Sequence, residues 1–104
     1  MGEDDIVDKA EEGGKREHFY PRYELIESEL IERIAKVMTQ GAVKYGEYNW
    51  RKFDAEQVKD IPRHAFKHIV DYMKGDQSED HLANAACNIM MAMWFEENSK
   101  LQPR

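Results

Sequence analysis

Residues 81–95, HLANAACNIMMAMWF, constrain the fold more than any other stretch of this chain. Nearly every position is apolar or small. A helix with so little polar circumference has to be buried. His81, Asn84 and Asn88 interrupt it at i, i+3 and i+7, which places them on one helix face. Leu82, Ala86, Ile89 and Met93 form a second, apolar face. A buried amide without a partner costs about 1–3 kcal/mol, so the polar stripe has to meet another polar surface or a ligand. It is read either as a structural network between helices or as a binding face. Ala83, Ala85 and Ala92 admit a close neighbour in both readings.

Two further helices are expected before it. Ile26, Leu30, Ile34, Val37 and Met38 recur at helical spacing, predicting a helix from about Tyr23 to Gln40 that stops near Gly41. GAVKYGEYNWRKFD follows, with two Gly and four aromatics, and reads as a loop or broken helix. Asp54 and Gln57 match a capping box for a second helix, with a restart or kink at Pro62 and a left-handed stop at Gly75. Asp76 and Glu79 match another capping box, and the third helix is expected to reach about Glu97. No strand-like alternation of useful length is present. The class is all-α, a bundle of three main helices. Residues 1–17 are dominated by charge and Gly and read as a disordered acidic tail. Residues 18–104 read as a single all-α domain.

At 104 residues the chain buries only about two-thirds of its unfolded surface, so a core completed by oligomerisation is expected. Lys plus Arg number 15 against 21 Asp plus Glu, for a net charge of −6. That balance argues against a nucleic-acid polymer as partner, because coating phosphates needs a basic face. The lone Cys87 suits a reducing cytosol. No signal-peptide pattern is present, and the longest apolar run carries two Asn. A membrane span is therefore not expected, and a cytoplasmic location is.

Three groups of residues bear on chemistry. Glu29 and Glu32 form an E-x-x-E step, with two carboxylates on adjacent helical turns. Oxygen ligands so placed suit Mg²⁺ or Mn²⁺, although Glu-rich surface helices show the same spacing. His64, His68 and Asp71 share a side of the second helix opposite Phe66, Ile69 and Met73. This is either a metal face or the wet side of an amphipathic helix, and no third Zn²⁺ ligand is evident nearby in sequence. The loop around Lys44, Tyr45, Tyr48, Asn49, Trp50, Arg51 and Lys52 sets cations beside flat rings, which suits a stacked base with neutralised phosphates. It equally suits an aromatic plug at the end of a bundle.

The segments PRYELI, LIERIAKVMTQGAVKYGEYNW, KHIVDYMKGD and HLANAACNIMMAMWF occur in an order that resembles the phage-type dATP/dGTP diphosphohydrolases. These are a branch of the MazG-like all-α nucleoside triphosphate pyrophosphohydrolases. The resemblance covers residues 20–97, and GAVKYGEYNW and HLANAACN are its most specific parts. It implies a helical dimer or tetramer that cleaves a purine deoxynucleoside triphosphate to the monophosphate and pyrophosphate, with Mg²⁺ or Mn²⁺. The resemblance further implies an enzyme of phage type, placed in the host cytoplasm if phage-encoded.

The wider superfamily sets an E-x-x-E step opposite an E-x-x-D step. Glu29 and Glu32 match the first and are the catalytic candidates. His81 and Asn84 fall on the second, so the implied metal set is Glu29, Glu32, His81 and Asn84. Glu79, Asp80 and Asp71 are alternative acids. Lys44 is expected on phosphate, Tyr45 or Trp50 on the base, and Asn49 on base or sugar. His68 and Asn88 complete the expected substrate contacts. The departure at His81 and Asn84 keeps two rivals open, a nucleotide-binding module without turnover and a helical interaction module.

Overall fold

The computed structural model describes residues 6–9, 15–18 and 20–98. Three helices make the body, as the periodicity predicts: α1 (Ser28–Tyr45), α2 (Ala55–Met73) and α3 (His81–Asn98). Single 3-10 turns at Tyr23–Leu25 and Asn49–Lys52 precede α1 and α2. Ahead of the body, strand β1 (Ile6–Lys9) pairs antiparallel with β2 (Lys15–His18), in the register Ile6↔His18 to Lys9↔Lys15. The sequence reading expects no strand and a disordered tail here, so the paired segments correct it. Ile6 and Val7 are β-branched, and the Gly13–Gly14 step is a hairpin signal in the sequence that the charge content obscures. The rest of the expected tail lies outside the described residues.

The ends of α2 follow local chemistry. Asp54 accepts from the Gln57 amide at 2.9 Å, and Gln57 Oε1 accepts from the Asp54 amide at 2.9 Å. Pro62 sits inside α2, which continues through it. Gly75, at φ +88°, closes the helix in the left-handed conformation.

The limits of α1 differ from expectation. Ile26 and Glu27 are extended, which delays the start to Ser28. The helix then passes through Gly41 and stops at Gly46, whose φ of +102° only glycine adopts readily. The predicted Asp76–Glu79 box is also corrected. Asp80 is the residue that caps α3, accepting from the Ala83 amide at 3.1 Å.

A short connection folds α3 back along α2, and α1 rests mainly on α3. Val58, Ile61 and Phe95 form the core, enclosed by Trp50, Phe53, Met91, Ala92 and Trp94. The aromatic loop before α2 therefore plugs one end of the body. Trp50 meets Trp94 edge-on, with centroids 5.3 Å apart. At the other end α3 buries small residues, Ala83, Ala85 and Cys87, beside His81.

The second face expected for α3 is not buried within one chain. Leu82, Ile89 and Met93 are all exposed, as are Phe66 and Met73 on α2. The expected sides of α2 hold only in part: His64 is exposed and Ile69 half-buried, but His68 turns inward and Phe66 outward. Among the described residues no helix is long and apolar enough to cross a membrane.

Candidate functional site

The polar stripe of α3 splits between two neighbours. His81 is only 3% exposed and turns toward α2. Its Nε2 lies 2.6 Å from Asp76 Oδ2, and its Nδ1 lies 2.8 Å from His68 Nδ1. Asp76 is an acceptor here. Hydrogen bonds from His81 and from the Ser78 hydroxyl and amide hold its carboxyl below the usual range. The Nε2 of His81 therefore carries a proton. In the neutral ring Nδ1 is then a lone pair, and His68 Nδ1–H donates to it. Asp76, His81 and His68 make a chain from the α2–α3 turn into the body. Next to it, Lys67 donates to Asp71 at 2.8 Å, which occupies one of the alternative acids.

Asn84 and Asn88 face the other way. The Asn84 amide donates to Asp80 O at 2.9 Å and to Glu79 Oε1 at 3.4 Å. The Asn88 amide donates to Asn84 O at 2.9 Å. Both residues line a cavity of about 630 Å³ between α3, the second half of α1 and the loop after it. Tyr45, Asn49 and Trp50 line the same cavity, so five expected site residues converge. Tyr48 of the same aromatic loop also lines it, as does Cys87, which sequence reasoning missed. Tyr48 has a left-handed backbone, φ 58°, with the Arg51 guanidinium 3.8 Å above its ring. A non-glycine residue in that conformation is held by its surroundings, and here the stacked cation supplies part of the hold.

The remaining expected residues lie elsewhere. Lys44 is exposed, with its ammonium 5.3 Å from the Tyr45 ring centroid, and it is outside the cavity lining. His68 is outside the lining too. Glu29 and Glu32 are exposed on α1. The part of α1 that meets the start of α3 carries Leu30, Arg33 and Ile34 instead. The expected ligand set of Glu29, Glu32, His81 and Asn84 therefore does not fit one ion within a single chain. The Nε2 proton of His81 is committed to Asp76, and its Nδ1 points at His68 rather than at α1. Among the described residues the one group with metal-ligand spacing is His68, Glu79 and His81, with ligand atoms all within 4.8 Å of one another.

Comparison with known proteins supports the family. A family model described as "dATP/dGTP diphosphohydrolase, N-terminal" matches residues 10–104. A relative named dATP/dGTP diphosphohydrolase, from Salmonella phage PMBT28, is 29% identical over 79 residues. That alignment covers 71% of this chain and 26% of the relative, so the chain spans about a quarter of the longer protein. No solved structure matches the chain. With the family match extending over almost the whole sequence, the chain belongs to the N-terminal family of the dATP/dGTP diphosphohydrolases.

Proposed function

We propose that the chain binds a purine deoxynucleoside triphosphate in the α1–α3 cavity and hydrolyses it to the monophosphate and pyrophosphate. One observation carries this reading: Tyr45, Asn49 and Trp50 from one segment and Asn84 and Asn88 from another, distant in sequence, converge on one cavity of about 630 Å³. That volume lies in the usual range for a small-molecule site, about 300–1,000 Å³. Rings and amides are the groups that stack on a base and read its edge. The family match and the printed name of the phage relative support the substrate class. In the proposed reaction water attacks the α-phosphorus, the bond to the bridging oxygen breaks, and pyrophosphate leaves. A requirement for Mg²⁺ or Mn²⁺ is part of the proposal. When bound, such an ion neutralises phosphate charge and lowers the pKa of the attacking water. No step is assigned through Glu29 or Glu32, which lie outside the lining. We place the protein in the cytoplasm, as a homo-oligomer whose exposed apolar faces meet.

A second reading, nucleotide binding without turnover, is favoured by the scarcity of acids in the cavity. Glu47 is the single carboxylate among its lining residues. Both readings are tested by incubating the chain with dATP, dGTP, dCTP and dTTP, with Mg²⁺ or Mn²⁺. Monophosphate and pyrophosphate are measured, with calorimetric binding in parallel. Purine-selective release of pyrophosphate supports hydrolysis. Saturable binding without product supports the second reading. Absence of both outcomes removes the nucleotide site.

A further inference from the structure

We propose that His68, Glu79 and His81 form a metal site for a first-row divalent ion of octahedral preference, distinct from the Glu29–Glu32 step. Three observations carry it. The first is the donor set. Two imidazoles and a carboxylate bring their ligand atoms within 4.8 Å of one another, and one of the imidazoles is almost wholly buried. This chemistry suits Mn²⁺, Fe²⁺, Co²⁺ or Ni²⁺ better than the all-oxygen sites that Mg²⁺ favours.

The second is the outer shell. A metal-bound His almost always donates its other ring N–H to a carboxylate or carbonyl, which fixes its tautomer and orientation. His81 donates Nε2–H to Asp76 at 2.6 Å, leaving the Nδ1 lone pair directed at His68. Asp76 is itself held by Ser78, through hydroxyl and amide at 2.9 and 3.2 Å. The third ligand is braced as well, since the Asn84 amide reaches Glu79 Oε1 at 3.4 Å.

The third is the spacing. Two nitrogens bound at about 2.1 Å to one ion stand about 3.0 Å apart at a right angle and about 3.4 Å apart at the tetrahedral angle. The two Nδ1 atoms are 2.8 Å apart, close to the separation of adjacent octahedral positions. Binding requires His68 to move its proton from Nδ1 to Nε2, with no net loss from the neutral pair. Asn84 lines the cavity and touches Glu79, so the metal site and the cavity share a wall residue.

The site does not rest on the proposed hydrolysis, because it is read by binding alone. The full chain is titrated with Co²⁺ by equilibrium dialysis, and the visible spectrum is recorded. We expect about one Co²⁺ per chain with the weak absorption of octahedral cobalt. His68→Ala and Glu79→Gln should each weaken binding at least 10-fold. Asp76→Asn should weaken it about 10-fold, because the carboxylate that orients the His81 ring is lost. The double variant Glu29→Gln/Glu32→Gln should bind as the parent does. His68 is substituted rather than the buried His81, and circular dichroism confirms that each variant is folded. In parallel, Mn²⁺ should selectively broaden the His68 and His81 ring signals in NMR spectra. Undiminished Co²⁺ binding by His68→Ala overturns the site. So do absence of Co²⁺ binding by the parent chain and ring signals that Mn²⁺ leaves unchanged, either of which reduces the pair to a proton-sharing hydrogen bond.

Discussion

Arg33 and Asp80, 47 residues apart, meet through two parallel hydrogen bonds, Nε to Oδ2 at 2.9 Å and Nη2 to Oδ1 at 2.6 Å. The pair ties α1 to the first residue before α3, and Asp80 also caps that helix through the Ala83 amide. One carboxylate thus sets the start of α3 and the seat of α1 together.

This pair makes stability sensitive to acid. The Arg33 guanidinium holds the Asp80 carboxyl down to about 2, from an ordinary value of 3.8. The folded value lies below the unfolded one, so the contribution is complete above about pH 4 and fades as the pH falls toward 2. Thermal unfolding of the parent and Arg33→Met should therefore differ at pH 7 and converge between pH 4 and pH 2. The difference stays small because both side chains are substantially exposed. Asp80→Asn should retain the cap, whereas Asp80→Ala should lose about 1 kcal/mol more. Equal unfolding temperatures for Asp80→Asn and Asp80→Ala would remove the capping role.

Cys87 should resist alkylation in the native protein. It is 4% exposed, its thiol reaches Ile34 O at 3.4 Å, and burial pushes its pKa up to about 11. At pH 8 the thiolate that reacts with disulfide reagents is scarce. A thiol titration should show almost no reaction until denaturant is added, then one equivalent per chain. Rapid labelling of the folded chain would contradict this placement.

The chain should assemble at least as a dimer. Ile89 and Met93 on α3 are 51% and 50% exposed, and Leu82 continues the same side of the helix. An apolar strip of this kind marks an interface. Light scattering at micromolar concentrations should give at least twice the chain mass, and Ile89→Lys with Met93→Lys should reduce it to one. A monomeric parent chain would refute the shared core.

Tyr45 and Trp50 should separate affinity from stability. Tyr45 is 63% exposed at the cavity edge, so Tyr45→Ala should leave unfolding nearly unchanged. It should weaken purine nucleotide binding about 10-fold, at the scale of one lost stack. Trp50 packs on Trp94 and Phe95, and Trp50→Ala should cost about 3 kcal/mol in addition to affinity. Unchanged nucleotide affinity in Tyr45→Ala would take that ring out of the site.

Helix content and several helix ends were determined by the sequence alone, because they depend on neighbours a few residues away. The Asp54–Gln57 box and the Gly75 stop are local hydrogen bonding and local backbone freedom, and both appear where the spacing puts them. GAVKYGEYNW and HLANAACN likewise pointed to the family that the comparison shows. Tertiary structure decided where each polar group turns. Spacing puts His81, Asn84 and Asn88 on one face, but a face nearly 11 Å long meets different neighbours at its two ends. His81 therefore answers to Asp76 and His68, while the two Asn residues line the cavity. Periodicity also cannot say which helix a face will meet. Glu29 and Glu32 were legible as a step on α1, but packing through Leu30, Arg33 and Ile34 leaves them exposed. Asp76 reads from sequence as a cap and becomes the anchor of a buried imidazole, because the α2–α3 turn brings together groups that no short-range pattern relates.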